Sequence, residues 1–315
     1  MSRACDWAWE HVWLAFSLFG MLLCNWLLTL LVLPNPPAIF AGVPRREILI
    51  LAGFGLAWGA GAVLFGMAMD MLGLALGYPL IMGLNASVGT FVPLLWFDGA
   101  SVLQGRRLFI SVGTIVAIAG ISACSVAGGR RQSSADRTAS ASRARFVPGL
   151  VMAVASGTLS CLPNIGLVYG TTTIRQASSL GASPAFAGDA IWLIFFTFGG
   201  LVNLVYCFQL IIRRKTLCAL FARDRIVNWC LSLAMGGMWI ASFYLYGVGA
   251  ARLGRSGGTI GWPILVSVSI AVGVLCGLGK GEWDGAPARA MNLLWCGLAL
   301  IVLAVLLIPF GEVSS

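Results

Sequence analysis

Charge is what this sequence has least of. Of its 315 residues, 10% are Asp, Glu, Lys or Arg and 59% are hydrophobic, where a soluble domain carries roughly 25% charge. A water-soluble core of this size would need a charged coat that is missing. The chain therefore reads as an all-α polytopic membrane protein. Histidine is scarce too: His11 stands alone, which excludes a metal centre built on several histidines and leaves a catalytic triad one possible base. The nine cysteines (Cys5, Cys24, Cys124, Cys161, Cys207, Cys218, Cys230, Cys276, Cys296) include no Cys-x-x-Cys pair. Most lie in apolar runs, as small packing residues do. No Gly-Lys-Ser/Thr follows the glycines of Gly149–Gly157 or Gly236-Gly237, so no nucleotide site is expected and primary active transport by this chain alone is excluded. Met1–Glu10 has no charged region leading to a small-residue cleavage site, so it does not read as a cleavable signal peptide. No cofactor and no metal is expected, and nothing suggests an enzyme.

What is there is a succession of apolar runs, each near the 20 residues needed to cross the hydrocarbon core as a helix. Nine spans are expected: His11–Leu33, Ile48–Met69, Met71–Phe97, Leu108–Ala127, Val147–Tyr169, Ala187–Ile212, Asn228–Val248, Thr259–Leu278 and Ala290–Phe310. The first ends at Pro34-Asn35-Pro36-Pro37, where helix cannot continue, and Pro79 is expected either to kink the third or to follow an interfacial stretch at its start. A Ser-, Arg- and Gly-rich stretch without apolar periodicity divides them four and five. It gives a first half over residues 1–127, a linker over 128–146 and a second half over 147–315.

The two halves share text. Trp58, Phe65-Gly66 and Leu72-Gly73 return as Trp239, Tyr246-Gly247 and Leu253-Gly254 at an offset of 181. After a three-residue insertion, Tyr78-Pro79 returns as Trp262-Pro263 and Gly89 as Gly273. Five crossings separate the second span from its copy, the seventh, so the copies run in opposite directions. Inverted repeats are the mark of secondary transporters, which rock one part against another around a site at the midplane. Counting basic residues in alternate loops gives thirteen on one side and seven on the other. The positive-inside rule then puts the linker in the cytoplasm and the C-terminus outside, in a multi-pass protein of the cell (inner) membrane. It also accounts for the net charge of +9 without nucleic acid.

Trp58-Gly59-x-Gly61, Phe65-Gly66, Leu72-Gly73, Gly77, Gly89-Thr90, Pro93, Asn164, Gly199-Gly200, Asn203-Leu204, Gly236-Gly237-Met238-Trp239 and Glu282-Trp283 carry a resemblance in their order and spacing. Through them the sequence resembles the L-rhamnose–proton symporter family of the drug/metabolite transporter superfamily, over about Trp7 to Pro309. The resemblance implies a carrier that takes up L-rhamnose or a related sugar with a proton, built of ten helices in two inverted halves. Trp7-Ala8-Trp9-Glu10 resembles the approach to that family's second helix, so the family's first helix is expected to be absent. Asp70 stands where the family more usually shows a basic residue.

A sugar site needs aromatic faces and hydrogen-bonding groups in a largely apolar pocket. The aromatic candidates are Trp58, Tyr78, Trp239 and Trp262; packing between helices is the plainer role for Trp58 and Trp239, and an interfacial belt for Tyr78 and Trp262. The amide candidates are Asn85, Asn164 and Asn203, each deep in an apolar run, where interhelical hydrogen bonding is the alternative role. Asn25 also sits mid-span, without support from the resemblance. Proton coupling needs an ionisable group inside a span. Asp189 and Asp70 are the candidates, with a solvated loop acid the alternative for Asp70 and a helix N-cap for Asp189. Gly55, Gly59, Gly66, Gly73, Gly77, Gly237 and Gly247 are expected to let helix backbones approach closely.

These features lead to a secondary active transporter, working by alternating access on a small neutral solute with a proton in the bilayer, as a possible homodimer. The alternatives are an exporter of a small neutral solute in the drug/metabolite transporter manner, a non-transporting membrane sensor, or a truncated remnant.

Overall fold

The computed structural model describes residues 7–72, 74–98, 107–135, 143–221, 226–254, 257–281 and 283–307, and among them every regular element is helical. Hydrocarbon offers no partner to backbone N–H and C=O groups, and helices satisfy them internally. In chain order the helices are α1 (Trp9–Phe16), α2 (Asn25–Val32), α3 (Pro36–Ala41), α4 (Arg45–Leu72), α5 (Leu74–Asp98), α6 (Arg107–Ala135), α7 (Arg143–Ser160), α8 (Leu162–Tyr169), α9 (Thr171–Ser179), α10 (Ala190–Arg213), α11 (Ile226–Arg252), α12 (Gly257–Gly279) and α13 (Ala288–Leu307). A wide π-helical stretch, Ser17–Cys24, joins α1 to α2 into one rod.

Eight helices among the described residues are long and apolar enough to cross a membrane: Trp9–Val32, Arg45–Leu72, Ser111–Arg131, Phe146–Tyr169, Ala187–Arg213, Ile226–Arg252, Gly257–Gly279 and Ala288–Leu307. They fall on eight of the nine expected spans. The other, expected over Met71–Phe97, is α5, whose described apolar part is the shorter Leu80–Pro93. Leu27, Leu31, Val205, Met238 and Leu245 stand exposed on these helices. That suits lipid and would be a liability in water.

The helices form two compact units. The first takes Met1–Val63 and Gly166–Arg252, the second Leu64–Ile165 and Leu253–Ser315. Each draws residues from both sides of the stretch 128–146.

In the first unit, Gly20 of the π-helical stretch lies on Gly236 of α11, where an added Cβ would come within 2.9 Å of backbone. Gly55 and Gly59 of α4 lie on Phe195 and Gly199 of α10 in the same way. The close approach expected of Gly237 falls one residue earlier: a Cβ at Gly237 would come no nearer than 3.9 Å to Cys24 Sγ. In the second unit Gly120 of α6 and Gly297 of α13 face each other, and a Cβ on Gly120 would lie 2.9 Å from the Gly297 carbonyl oxygen. Gly77 packs under Met69, Gly66 is half-buried, and Gly73 lies outside the described residues.

Several local features depart from expectation. The stretch 128–146, read as linker, is helical at both ends: α6 runs on to Ala135 and α7 starts at Arg143. A helix nucleated in the membrane extends at little cost per residue, because propagation adds one bond for each residue fixed. The proline-rich loop after the first span holds the short helix α3, with Pro36 at its first position, a favoured site for proline. Asn35 precedes it in a left-handed conformation (φ 68°), and its side chain accepts from Ala38 N–H. The fifth span is broken at Cys161, between α7 and α8. Pro163 lacks the N–H that would bond back across that turn.

Candidate functional site

The first unit centres on Asp189. A loop closed by the 3₁₀ turn Ala187–Asp189 delivers it to the start of α10, wholly buried. Its side chain makes no cap bond to the helix it precedes. Instead Asp189 Oδ1 accepts a hydrogen bond from Trp192 Nε1 at 3.0 Å. Asp189 Oδ2 has no hydrogen-bond partner among the described residues. The room for this carboxyl comes from Gly247 on α11, where an added Cβ would fall on Asp189 Oδ1. Gly247 was expected as a helix-packing residue, and here its missing side chain makes space for an acid.

A second layer of polar groups holds Trp192. Asn25 Nδ2 donates to the Trp192 carbonyl at 2.9 Å. Tyr244 OH donates to Asn25 Oδ1 at 3.2 Å and lies 2.7 Å from Thr29 Oγ1, which bonds back to the Asn25 carbonyl. Asn25, Thr29 and Tyr244 are all buried. A satisfied buried network of this kind fixes one arrangement of the helices that carry it. Asn25 follows directly on the π-helical stretch, a form that recurs at functional positions. Sequence reasoning noted Asn25 without giving it a role; its signal was an amide in an otherwise apolar span. Tyr244 and Thr29 gave no signal, because tyrosine and threonine are common in spans without function.

Trp58 and Trp239, the duplicated pair, stack on one another with ring centroids 5.9 Å apart and planes 25° apart. Phe196 meets both edge-on at 5.3 and 5.0 Å, and Phe243 lies 5.0 Å from Trp239. Both tryptophans are only half-buried. Asn203, by contrast, joins three helices: its Oδ1 accepts from Trp13 Nε1 at 2.9 Å while its Nδ2 donates to the Gly199 and Gly59 carbonyls.

The other acids of the first unit's spans are engaged. Glu10 is buried and pairs with Arg214 at 2.9 Å. Glu47 Oε1 accepts from both the N–H and the hydroxyl of Thr173, capping α9 from another helix. In the second unit, Asp70 is exposed near the end of α4. The Asp98 side chain lies outside the described residues.

The second unit places the remaining candidates. Just past the break at Cys161, Asn164 Nδ2 donates to the Gly89 carbonyl at 2.6 Å and the Gly258 carbonyl at 2.8 Å, tying α8 to α5 and α12. Trp262 Nε1 donates to the Asn85 carbonyl at 3.1 Å, and its ring lies over Gly89. Asn85 Oδ1 is buried without a hydrogen-bond partner among the described residues. Tyr78 meets Phe65 edge-on and lines a cavity of about 240 Å³. Trp58, Asn203, Trp239 and Asp189 thus fall in the first unit, and Tyr78, Asn85, Asn164, Trp262 and Asp70 in the second. Among the described residues no group of three His, Cys, Asp or Glu could hold a metal ion.

Apolar spans, a discontinuous helix carrying a buried amide, and an acid engaged by one indole are the parts of a carrier rather than of a hydrolytic centre. Comparison with known proteins agrees. The L-rhamnose-proton symport protein family (RhaT) matches residues 1–314. An L-rhamnose-proton symporter of Citrobacter koseri is 27% identical over 317 residues, 98% of this chain and 91% of that one. The symporter of Enterobacter sp. (strain 638) is 28% identical over 316 residues, with the same shares covered. That of Shigella boydii is 27% identical over 313 residues, 97% of this chain and 90% of its own. With the family matched across nearly every residue, and with helices to suit a membrane, the chain belongs to the L-rhamnose-proton symport protein family of transporters.

Proposed function

We propose that this chain carries L-rhamnose or a closely related sugar across the inner membrane together with a proton, by alternating access. Membership of the family and the names of its relatives support the substrate. Asp189 is the observation that carries the coupling. It is buried on a span, with one oxygen unpartnered and no cation paired to it among the described residues. An ionisable group so placed in a membrane is functional by default. The free Oδ2 is where the proton binds, while Trp192 holds the other oxygen.

The same reading takes α5 as the ninth crossing; 25 residues at 1.5 Å each exceed the roughly 30 Å core. It takes the chain as two inverted repeats of drug/metabolite transporter type, with the stretch 128–146 in the cytoplasm and the C-terminus outside. The stacking of Trp58 on its repeat partner Trp239 supports the inverted repeat, because a pseudo-two-fold axis brings such copies together. Their half-buried faces supply the apolar side of a sugar site.

The test is uptake of radiolabelled L-rhamnose into cells expressing the chain, with and without a protonophore. Uptake that the protonophore abolishes is expected. Asp189→Asn should then retain rhamnose exchange across the membrane without accumulation. Uptake indifferent to the protonophore overturns the coupling, and a folded protein that carries another solute but no rhamnose overturns the substrate.

A further inference from the structure

Glu47, in the first turn of α4, is a buried acid outside the network around Asp189. Its Oε1 accepts from Thr173 N–H at 2.8 Å and from Thr173 Oγ1 at 2.7 Å, and Thr173 is wholly buried. Helix α9 needs those bonds. It spans nine residues, opens on three threonines, and its N-cap residue, Gly170, makes no side-chain cap bond. Threonine is a poor helix former, and so short a helix has little stability of its own. Glu47 supplies the absent cap from another helix, at the end where an acid also suits the helix dipole.

What α9 holds in turn is the segment that carries Asp189. Gly181, at φ 91°, ends the helix in a left-handed turn, and Ala182 N–H returns to the Ala177 carbonyl at 3.0 Å. Further on, Ala187 N–H donates to the Ser183 carbonyl and Asp189 N–H to the Phe186 carbonyl. Ala177, Ala182, Ala187 and Ala190 pack with Leu33 and Ile39 in one buried apolar cluster. Ala187 and Ala190 flank Asp189 in the chain, so this cluster closes off the side of the carboxyl that faces α3 and α9. The titratable groups near Asp189 on the packed α11 are Tyr244 and Tyr246, both buried. Beside Glu47 on α4, Arg45 and Arg46 are exposed, and Arg175 of α9 is exposed with its Nε on the Thr171 carbonyl.

We infer that Glu47 is a positioning residue for proton coupling: by fastening α9 to α4 it holds the loop that delivers Asp189 and keeps water from the carboxyl on that side. The inference rests on the reading of Asp189 as the group that binds the proton. Glu47 itself carries no proton in the cycle. Its oxygen is occupied by two donors of one residue, and its effect reaches the carboxyl only through α9 and the turn Ala187–Asp189.

The experiment measures rhamnose accumulation per folded molecule across external pH, in cells expressing the whole chain and its variants. Glu47→Ala should lower accumulation about fivefold and displace the pH profile, with the rhamnose concentration for half-maximal uptake unchanged. Glu47→Gln, whose amide oxygen can accept the same two bonds, should keep the parent's profile. Thr173→Val loses the hydroxyl bond and keeps the N–H bond, so its profile should move the same way by less. Should Glu47→Ala fail to fold, Thr173→Val decides. A Glu47→Gln variant that behaves as Glu47→Ala overturns the positioning role, because Glu47 would then be a proton carrier itself. A profile that stays at the parent's in both Glu47→Ala and Thr173→Val reduces the cap to a structural contact. Asp189→Asn separates this from the reading beneath it. If that variant keeps its pH dependence, the proton binds elsewhere and both readings fall; if it loses the dependence while Glu47→Ala matches the parent, the role of Glu47 falls alone.

Discussion

The first unit concentrates its buried polar groups around one carboxyl, whereas the second uses them to clasp helices. In the first, Trp192, Asn25, Tyr244 and Thr29 form a connected chain of hydrogen bonds that ends on Asp189. Rings from α4, α10 and α11 crowd beside it. In the second, Asn164 and Trp262 donate to main-chain carbonyls, and α6 meets α13 glycine to glycine. A hydrogen bond from a side chain to a carbonyl adds rigidity and leaves nothing to titrate. On the proposed function the chemistry lies in the first unit and framework in the second, although both sequence halves supply each. Substitutions in the first unit should therefore damage transport more than stability, and those in the second should do the reverse.

The largest effect belongs to Asp189→Asn. The amide keeps the size of the side chain and can still accept from Trp192 Nε1, so the protein should fold. Accumulation of sugar against a gradient should fall to that of cells without the chain. It should also stop responding to external pH, because acidification can load only a group that binds a proton. A variant whose uptake still rises on acidification breaks the comparison outright, since proton binding would then lie elsewhere. The counterpart in the second unit is Gly297→Leu. A Cβ there would lie 2.6 Å from Cys124 Sγ and 2.7 Å from Cys124 N, so α6 and α13 must separate. About 3 kcal/mol of stability should be lost, as for overpacking of a tight core, with transport falling only in step with the folded fraction. Thermal unfolding beside uptake per folded molecule separates the two effects.

How far the sequence foretold this division depends on what each residue's signal consists of. The spans were legible because composition alone fixes them: eight apolar runs became eight membrane-length helices. Asp189 was legible because an acid in an apolar run is rare, and Trp58 and Trp239 because they occupy matching positions. The grouping of helices into units was not legible, because contacts between residues such as Gly120 and Gly297 leave no trace in local periodicity. Nor was the π-helical stretch, since Ser17–Cys24 has the apolar make-up of any span and widens where Gly20 meets Gly236. Glu47 passed unnoticed at a helix start, where acids are ordinary, although its partner Thr173 lies on another helix.

Asn164→Ala should rank next. It removes the two hydrogen bonds by which α8 holds Gly89 and Gly258, and vacates a buried amide site just past the break at Cys161. The expected loss is about 2 kcal/mol. The rhamnose concentration for half-maximal uptake should stay near the parent's if Asn164 belongs to the framework. A large rise in that concentration with little loss of stability would make Asn164 a sugar ligand and sharpen the division by moving it across.

Tyr244→Phe should have the smallest effect and makes the finest test. The hydroxyl serves Asn25 Oδ1 and Thr29 Oγ1, and Thr29 keeps its bond to the Asn25 carbonyl without it. The ring stays, so packing is conserved, and the loss of stability should be about 1 kcal/mol. Asn25 keeps its bond to the Trp192 carbonyl, but with its own Oδ1 released it can rotate, and Trp192 is the group that holds Asp189. The dependence of uptake on external pH should therefore shift relative to the parent, while half-maximal sugar concentration changes little. A residue that merely packed would leave the pH profile where it was. A Tyr244→Phe profile that superimposes on the parent's would confine the coupling chemistry to Asp189 and Trp192 and reduce the rest of the network to scaffold.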